Sequence, residues 1–216
     1  MRHSAIAPLL LLFLSACGAG PQFPGVVRSE LPLPGGYTSY MYSMDASARS
    51  EAGDARAIVF LHGGGLIAGS PTLRRFDEFS RWLASHGHTV LSLKYPLLWQ
   101  GLDRAEGTSL LHEGLRTLVR QGHHRLAIVA VSAGAWIAER GLEDGKREGW
   151  PELAGLDRFG GVSPLVAVDH STLRLLVAAI YERATPAPVD PSALPKLLLI
   201  QGDSDWLVPA ESAAPL

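Results

Sequence analysis

Two short segments of the sequence have the residue types needed for nucleophilic chemistry. Ser132 has small neighbours, in Ala130-Val131-Ser132-Ala133-Gly134, and small neighbours permit the tight strand-to-helix turn that presents a serine hydroxyl. Upstream, His62-Gly63-Gly64-Gly65 offers backbone N–H groups that no side chain shields, which is what an oxyanion needs. Together the two segments predict attack by a serine hydroxyl, with the developing negative charge held by backbone amides.

A third segment supplies carboxylates. It reads Gly202-Asp203-Ser204-Asp205-Trp206-Leu207-Val208-Pro209 and follows the apolar residues 197–200. Each of the three segments is a weak signal alone, because a glycine loop is often a plain turn and an acidic residue after a strand often caps a helix. All three follow an apolar run, and this shared position makes the combination a strong one.

The apolar runs predict strands. Continuous runs of this kind suit strands that are buried on both faces of a sheet, and they cover residues 57–61, 89–93, 126–131, 162–168 and 197–200. Residues 37–44 are rich in aromatic and hydroxyl side chains and predict an early edge strand.

Helix patterns lie between these runs. The clearest helix is predicted to begin with Ser70 as its cap and Pro71 at its first position, and to stop at Gly87. A second ends at Gly122, a third follows Ser132, and a fourth begins near Ser171. Alternating strands and helices predict an α/β fold with a mostly parallel sheet covered by helices on both faces. Ligands in such sheets bind at the carboxyl ends of the strands.

The composition fits one folded domain. The 216 residues are 47% hydrophobic and 19% charged, which excludes a disordered chain, collagen and a coiled coil. Nineteen Lys and Arg against 21 Asp and Glu give a net charge of −2, too balanced to attract nucleic acid by charge alone. The pairs His86/His88 and His123/His124 have no acidic or cysteine partner at metal-ligand spacing. We therefore expect no nucleic acid, no metal and no cofactor.

The single cysteine belongs to a predicted N-terminal targeting segment. Basic residues precede the apolar residues 9–14, a stretch that is too short to span a bilayer and is typical of a signal peptide. Leu14-Ser15-Ala16-Cys17 resembles the bacterial lipobox, which implies a diacylglycerol on Cys17 at the mature N-terminus. The alternative is an ordinary secretory peptide that includes a cysteine.

This targeting segment determines the predicted domain boundaries. We expect a signal peptide over residues 1–16, a tether over 17–29 and one domain over 30–216. The lipid would anchor the chain to a membrane of the bacterial cell envelope, facing the periplasm from the outer membrane in a Gram-negative cell.

From about Tyr37 onward, the chain resembles the α/β-hydrolase superfamily, in the esterase and lipase branch that carries an HGGG loop. The likeness rests on that loop, on a G-x-S-x-G turn in which Ala130 replaces the first glycine, and on a G-x-x-D-x-x-V-P stretch matched by residues 202–209. It implies an α/β-hydrolase fold and hydrolysis of a small-molecule carboxylic ester through an acyl-serine.

The resemblance also assigns roles. It implies Ser132 as nucleophile, Asp205 as the acid, and His62 as a support for the loop. The oxyanion hole would be formed by the N–H groups of Gly63, Gly64 and Ala133. Asp203 is the second choice for the acid and suits a turn better.

The catalytic base of this family is not found at its expected place in the sequence. In this family the histidine follows the acid after one more helix and strand, which need about 20 residues, whereas only residues 210–216 follow Pro209. We therefore expect a C-terminally truncated chain with little activity. The alternatives are a degenerate, inactive relative and an active enzyme in which His170 serves as a relocated base.

Two other functions stay open. An amide-directed hydrolase, such as a formamidase or a peptidase-like enzyme, would use the same residues, and a non-catalytic lipoprotein would keep the fold for binding. We expect no large lid, because only residues 141–161 and the helix after Ser171 remain as material for one.

Overall fold

The computed structural model describes residues 22–45, 55–162 and 195–200. The predictions for Cys17, His170, Asp203 and Asp205 lie outside these ranges. In the described part, the strands are β1 (Val26–Leu33), β2 (Tyr37–Met44), β3 (Ala57–Leu61), β4 (Thr89–Leu93), β5 (Leu126–Val131), β6 (Leu156–Val162) and β7 (Lys196–Ile200). The α-helices there are α1 (Arg74–Ser85), α2 (Arg104–Arg120) and α3 (Ala133–Glu148), and short 3₁₀ turns cover Pro34–Gly36, Leu98–Gln100 and Pro151–Gly155.

The described strands form one sheet in the order β1-β2-β4-β3-β5-β6-β7. β1 pairs antiparallel with β2, and β2 pairs antiparallel with β4. β4, β3, β5, β6 and β7 run parallel to one another. The last residues of β3, β5 and β7 therefore share one side of the sheet, which we call the carboxyl edge.

Helices cover both faces of this sheet, as predicted. One apolar cluster packs α1 against the sheet through Phe76, Phe79 and Leu83, which recur at helical spacing. The other, larger cluster packs α2 and α3 against the opposite face, with Leu111 and Leu115 among its fully buried side chains. Because both faces are covered, all five residues of β3 are buried, which explains the continuous apolar run seen in the sequence.

The sequence misplaces the start of the folded part. β1 begins at Val26, inside the segment predicted as a tether, and its register joins Val26 to Met44 in a long hairpin with β2. β2 is thus an inner strand and not an edge strand. The sequence pattern does not reveal β1, because Leu33 is its one buried residue. The strand therefore depends on pairing with β2 and not on an apolar pattern.

Two other boundaries also differ from prediction. α1 begins at Arg74 and not at Pro71, because Leu73 is extended and Ser70 Oγ accepts the Thr72 N–H (3.3 Å) within a preceding turn. β6 begins at Leu156, before the start predicted at Val162, and residues 163–168 of the predicted strand lie outside the described residues. Residues 141–161 belong to α3, a short turn and β6, so they are core and not cap material.

Candidate active site

Ser132 lies at a sharp turn between β5 and α3, on the carboxyl edge. Its backbone has φ +49° and ψ −116°, a conformation that non-glycine residues rarely adopt and that costs about 1–3 kcal/mol. Two hydrogen bonds hold the turn: the Ser132 N–H donates to the Val162 carbonyl (2.9 Å), and the Ala135 N–H donates to the Ser132 carbonyl (2.9 Å). The side chain is half-buried, so its hydroxyl is held at a fixed place yet stays accessible.

Gly134 explains why the residues after the serine must be small. A Cβ at this position would lie 2.6 Å from the carbonyl oxygens of both Leu61 and His62. Such contact is far inside van der Waals distance, so α3 approaches the end of β3 only because glycine is present. The close approach brings the first turn of α3 against the glycine loop.

The glycine loop lies directly beside the serine. A Cβ built on Gly63 would lie 3.4 Å from Cβ of Ser132 and 3.2 Å from the Val131 carbonyl oxygen. The loop then folds back on itself, since the Ile67 and Ala68 N–H groups both donate to the Gly64 carbonyl (3.2 and 3.0 Å). Two of the three predicted segments therefore meet in the structure.

Two glycines in this loop cannot be replaced without moving the backbone. Gly64 has φ +137°, and a Cβ there would lie 2.0 Å from the Ala68 carbonyl oxygen. Gly69 has φ +112°, and its Cβ would lie 2.4 Å from the Gly63 carbonyl oxygen. Both positions combine a conformation that favours glycine with a close backbone approach.

The amides predicted to hold an oxyanion are available. Within the described ranges, the N–H groups of Gly63, Gly64 and Ala133 have no backbone acceptor. Ala133 is the first residue of α3, where N–H groups have no intrahelical partner and the helix dipole favours negative charge. This edge of the sheet can therefore stabilise an anion next to the Ser132 hydroxyl.

His62 is buried beneath the loop. Its Nδ1 lies 3.0 Å from the Gly63 carbonyl oxygen, and its ring stacks on Tyr95 with a centroid distance of 4.2 Å. The Tyr95 hydroxyl in turn donates to the His62 carbonyl. The pKa of His62 is lowered to about 4, mainly by burial and in smaller part by the nearby Lys94 charge, while the Gly63 hydrogen bond acts in the opposite direction. His62 is therefore neutral at pH 7, with Nδ1–H donating to Gly63.

The other described histidines lie elsewhere. His86 and His88 follow α1, and His123 and His124 follow α2, all at the opposite edge of the sheet. His112, in α2, stacks on Trp150 and lies 3.1 Å from Glu152, away from the carboxyl edge. Of the histidines in the described part of the chain, His62 is thus the one at the carboxyl edge.

The predicted acid lies beyond the end of β7. That strand runs parallel to β5 and β6 and ends at Ile200, at the carboxyl edge. Asp205 and Asp203 themselves are outside the described residues, and their roles stay predictions. The same holds for Cys17.

In the described ranges, no three His, Cys, Asp or Glu side chains are grouped as a metal ion requires. No helix in these ranges has the length and apolar character to cross a bilayer.

Comparisons with known proteins place the fold. No protein-family model matches the chain, and no curated protein matches its sequence. Among solved structures, esterase B from Lactobacillus rhamnosis, inhibited by a tributyrin phosphonate, shares 18% identity over 90% of this chain and 69% of its own, with a TM-score of 0.63. A butyrate-bound thermophilic esterase from the planctomycete Thermogutta terrifontis shares 20% over 90% and 78%, with a TM-score of 0.62.

A third neighbour is the HSL-homolog EstE7 from a metagenome library. It shares 22% identity over 76% of this chain and 52% of its own, with a TM-score of 0.54. At such identities the likeness establishes the fold and nothing finer. The chain has the α/β-hydrolase fold, as the sequence predicted, and its structural neighbours are esterases.

Several residues that build the site were missed by sequence reasoning. They are Gly69, which closes the loop, Tyr95, which holds His62, and Val162, which holds the Ser132 backbone. Tyr95 could have been suspected, because it lies just past the carboxyl end of the apolar run 89–93, whereas Val162 stands at the start of the predicted run 162–168. Gly69 gave no such signal.

Proposed function

We propose that this protein is a serine hydrolase of the carboxylesterase type, which cleaves carboxylic esters through an acyl-serine intermediate. One observation carries the proposal: the Gly63 backbone lies against Ser132 at the carboxyl edge, with its Cβ position 3.4 Å from that of the serine. Nucleophile and oxyanion donors must meet in this way for acyl transfer. The fold and the esterase neighbours support the same reaction class.

The reaction follows from the positions of these groups. The Ser132 hydroxyl attacks the ester carbonyl, its proton passes to an imidazole, and the carbonyl oxygen becomes an oxyanion. The N–H groups of Gly63, Gly64 and Ala133 hold that oxyanion. Collapse of the intermediate expels the alcohol, which takes the proton from the imidazole and leaves an acyl-serine. Water then attacks the acyl-serine by the same path, releasing the acid and restoring Ser132.

The proposal assigns orientation of the imidazole to Asp205. His62 does not suit the role of base, because its Nδ1 is engaged by Gly63 and its pKa lies near 4. It fits a loop-support role, because its Nδ1–H donates to the Gly63 carbonyl and its own backbone carbonyl accepts the Tyr95 hydroxyl. His170 is the candidate for a relocated base. If His170 does not act as the base, we expect slow turnover by the 216-residue chain.

Active-site labelling tests the proposal. The 216-residue chain is treated with a fluorophosphonate, with and without added imidazole, which supplies a base if the chain has none at the site. We expect a stable adduct on Ser132, absent in Ser132→Ala and retained in Ser109→Ala, a matched change at an exposed helix position. A folded chain that stays unlabelled at Ser132 even with imidazole would overturn the proposal and favour the non-catalytic reading.

Substrate class needs a second measurement. Two neighbours were captured with four-carbon acyl groups or their analogues, so p-nitrophenyl butyrate and butyryl p-nitroanilide form a suitable pair. We expect Ser132-dependent release of p-nitrophenol and much slower cleavage of the anilide. Preference for the anilide would move the protein to the amide-directed class. Loss of turnover in His170→Ala would identify His170 as the base.

We further propose that Cys17 carries a lipid that anchors the protein in the bacterial cell envelope. The support is the Leu14–Cys17 sequence, which continues directly from the apolar stretch of the predicted signal peptide. Expression in a bacterial host with a labelled fatty acid should give a labelled product, and Cys17→Ser should not be labelled. Equal labelling of both chains would contradict the proposal.

A further inference from the structure

Large apolar side chains are exposed at the carboxyl edge, although polar side chains would suit this edge better if it contacted only water. Trp99 is 72% exposed, Ile67 57% and Leu73 42%. Ile67 and Leu73 belong to the loop between β3 and α1, which includes the glycine segment, and Trp99 lies in the 3₁₀ turn after β4. We call these three side chains the edge patch.

Hydrogen bonds connect the edge patch to the glycine loop. The Trp99 indole Nε1–H donates to the Ile67 carbonyl (3.2 Å), and the Leu98 N–H donates to the Leu66 carbonyl (2.9 Å). Leu66 itself is fully buried in the core with a positive φ of +62°. The backbone is thus held firmly, while the Trp99 and Ile67 side chains project outward.

A cation lies on the same side. Arg75, in the first turn of α1, is exposed and contacts the Phe76 ring at 4.9 Å. No described carboxylate pairs with it, since the nearby Asp77 binds Arg28 and Arg81, and Glu78 binds Arg74. The carboxylate of Asp103, after the Trp99 turn, is occupied as the cap of α2, where it accepts the Glu106 N–H (2.7 Å).

We infer that the edge patch docks the carboxyl edge onto an anionic lipid surface. Trp is favoured at membrane interfaces because its ring is apolar and its N–H polar. Projecting side chains insert into an interface, whereas sites for single small molecules are concave. Arg75 adds attraction to anionic headgroups.

A second copy of the chain suits the patch less well. A whole Trp side chain buries at most about 250 Å², so three partly exposed side chains fall well short of the roughly 800 Å² per partner of a stable dimer. The inference rests on the proposed function only in one respect: docking there would bring Ser132 to water-insoluble esters. Lipid docking itself does not require catalysis.

Contact-range quenching tests the docking. The Cys17→Ser chain, which has no lipid of its own, is mixed with phosphatidylglycerol vesicles brominated on the acyl chains, and its tryptophan fluorescence is read. We expect strong quenching that is largely lost in Trp99→Phe and kept in Trp82→Phe, the same change at a half-buried position in α1. Ile67→Ser and Arg75→Gln should weaken vesicle affinity several-fold, and Val27→Ser, at an exposed apolar position of β1, should not.

Other outcomes would overturn the inference. Vesicle binding without quenching of Trp99 would place the contact elsewhere on the chain. Equal quenching by phosphatidylcholine vesicles, insensitive to Arg75→Gln, would refute the anionic surface, and quenching by a monomeric brominated ester alone would make the patch a subsite for one substrate molecule. If quenching holds but Ser132 is never labelled, the docking stands and the proposed function fails.

Discussion

Glu139 should make the fold lose stability as the pH rises. It lies in α3, two turns after Ser132, is fully buried, and neither carboxyl oxygen has a hydrogen-bond partner in the described part of the chain. Burial raises its pKa to about 8, Glu143 contributes in the same direction, and the charge of Arg140 opposes both. The folded protein therefore keeps this carboxyl neutral at pH 7.

The sign and size of the effect follow from linkage. The pKa is 4.5 in the unfolded chain and about 8 in the folded one, so between these values the folded state binds more protons and its stability falls as the pH rises. Below pH 4.5 nothing is lost, and above pH 8 the loss is complete. At about 1.4 kcal/mol per pH unit, the full loss is of order 5 kcal/mol, a large part of the 5–15 kcal/mol that stabilises a typical domain.

Glu139→Gln removes the titration while keeping the shape of the side chain. Urea unfolding at pH 5 and pH 9 should show near-equal stability of the two chains at pH 5, and a variant that is several kcal/mol more stable at pH 9. Other titrating groups cancel in this comparison. Glu30→Gln, the same change at an exposed position of β1, should leave the pH dependence of stability as it is in the wild type. An identical difference between wild type and Glu139→Gln at both pH values would refute the reasoning.

Other predictions concern the residues around the serine. Gly134→Ala should destabilise the fold by about 1–3 kcal/mol through overpacking, because its Cβ would meet two carbonyl oxygens at 2.6 Å; Gly107→Ala, whose nearest contact is 3.4 Å, should be neutral or stabilising in the same urea titration. His62, with its pKa lowered to about 4, should cost roughly 3 kcal/mol of stability as the pH falls from 6.5 to 4. His62→Phe should remove that part of the acid dependence, and an unchanged acid transition would contradict the assignment.

The sequence was sufficient for the fold class. Runs such as Ala57–Leu61 and Leu126–Val131 are apolar throughout because both faces of their strands are covered, and the helix stripes between them repeat at 3.6 residues. Burial of this kind leaves a local signature in the chain. The parallel sheet and its functional edge were therefore predictable.

Elements that depend on pairing partners were not predictable. β1 has one buried residue and forms because β2 offers a complete register of partners. The start of α1 was misplaced because Ser70 stabilises a preceding turn instead of capping the helix. Such outcomes are decided by competition between hydrogen bonds of similar strength, and local propensity does not rank them.

The sequence by itself determined which groups could react: a serine among small residues, a glycine loop and a late carboxylate segment. Only the tertiary structure decided that Gly63 lies against Ser132 and that His62 is neutral and engaged. It also decided that Trp99, in the turn after β4, is hydrogen-bonded to the loop that holds the oxyanion donors and projects beside it. The physical reason is the strand order, since β5 inserts beside β3 on the side opposite β4, and this arrangement of distant segments is fixed by packing across the whole sheet.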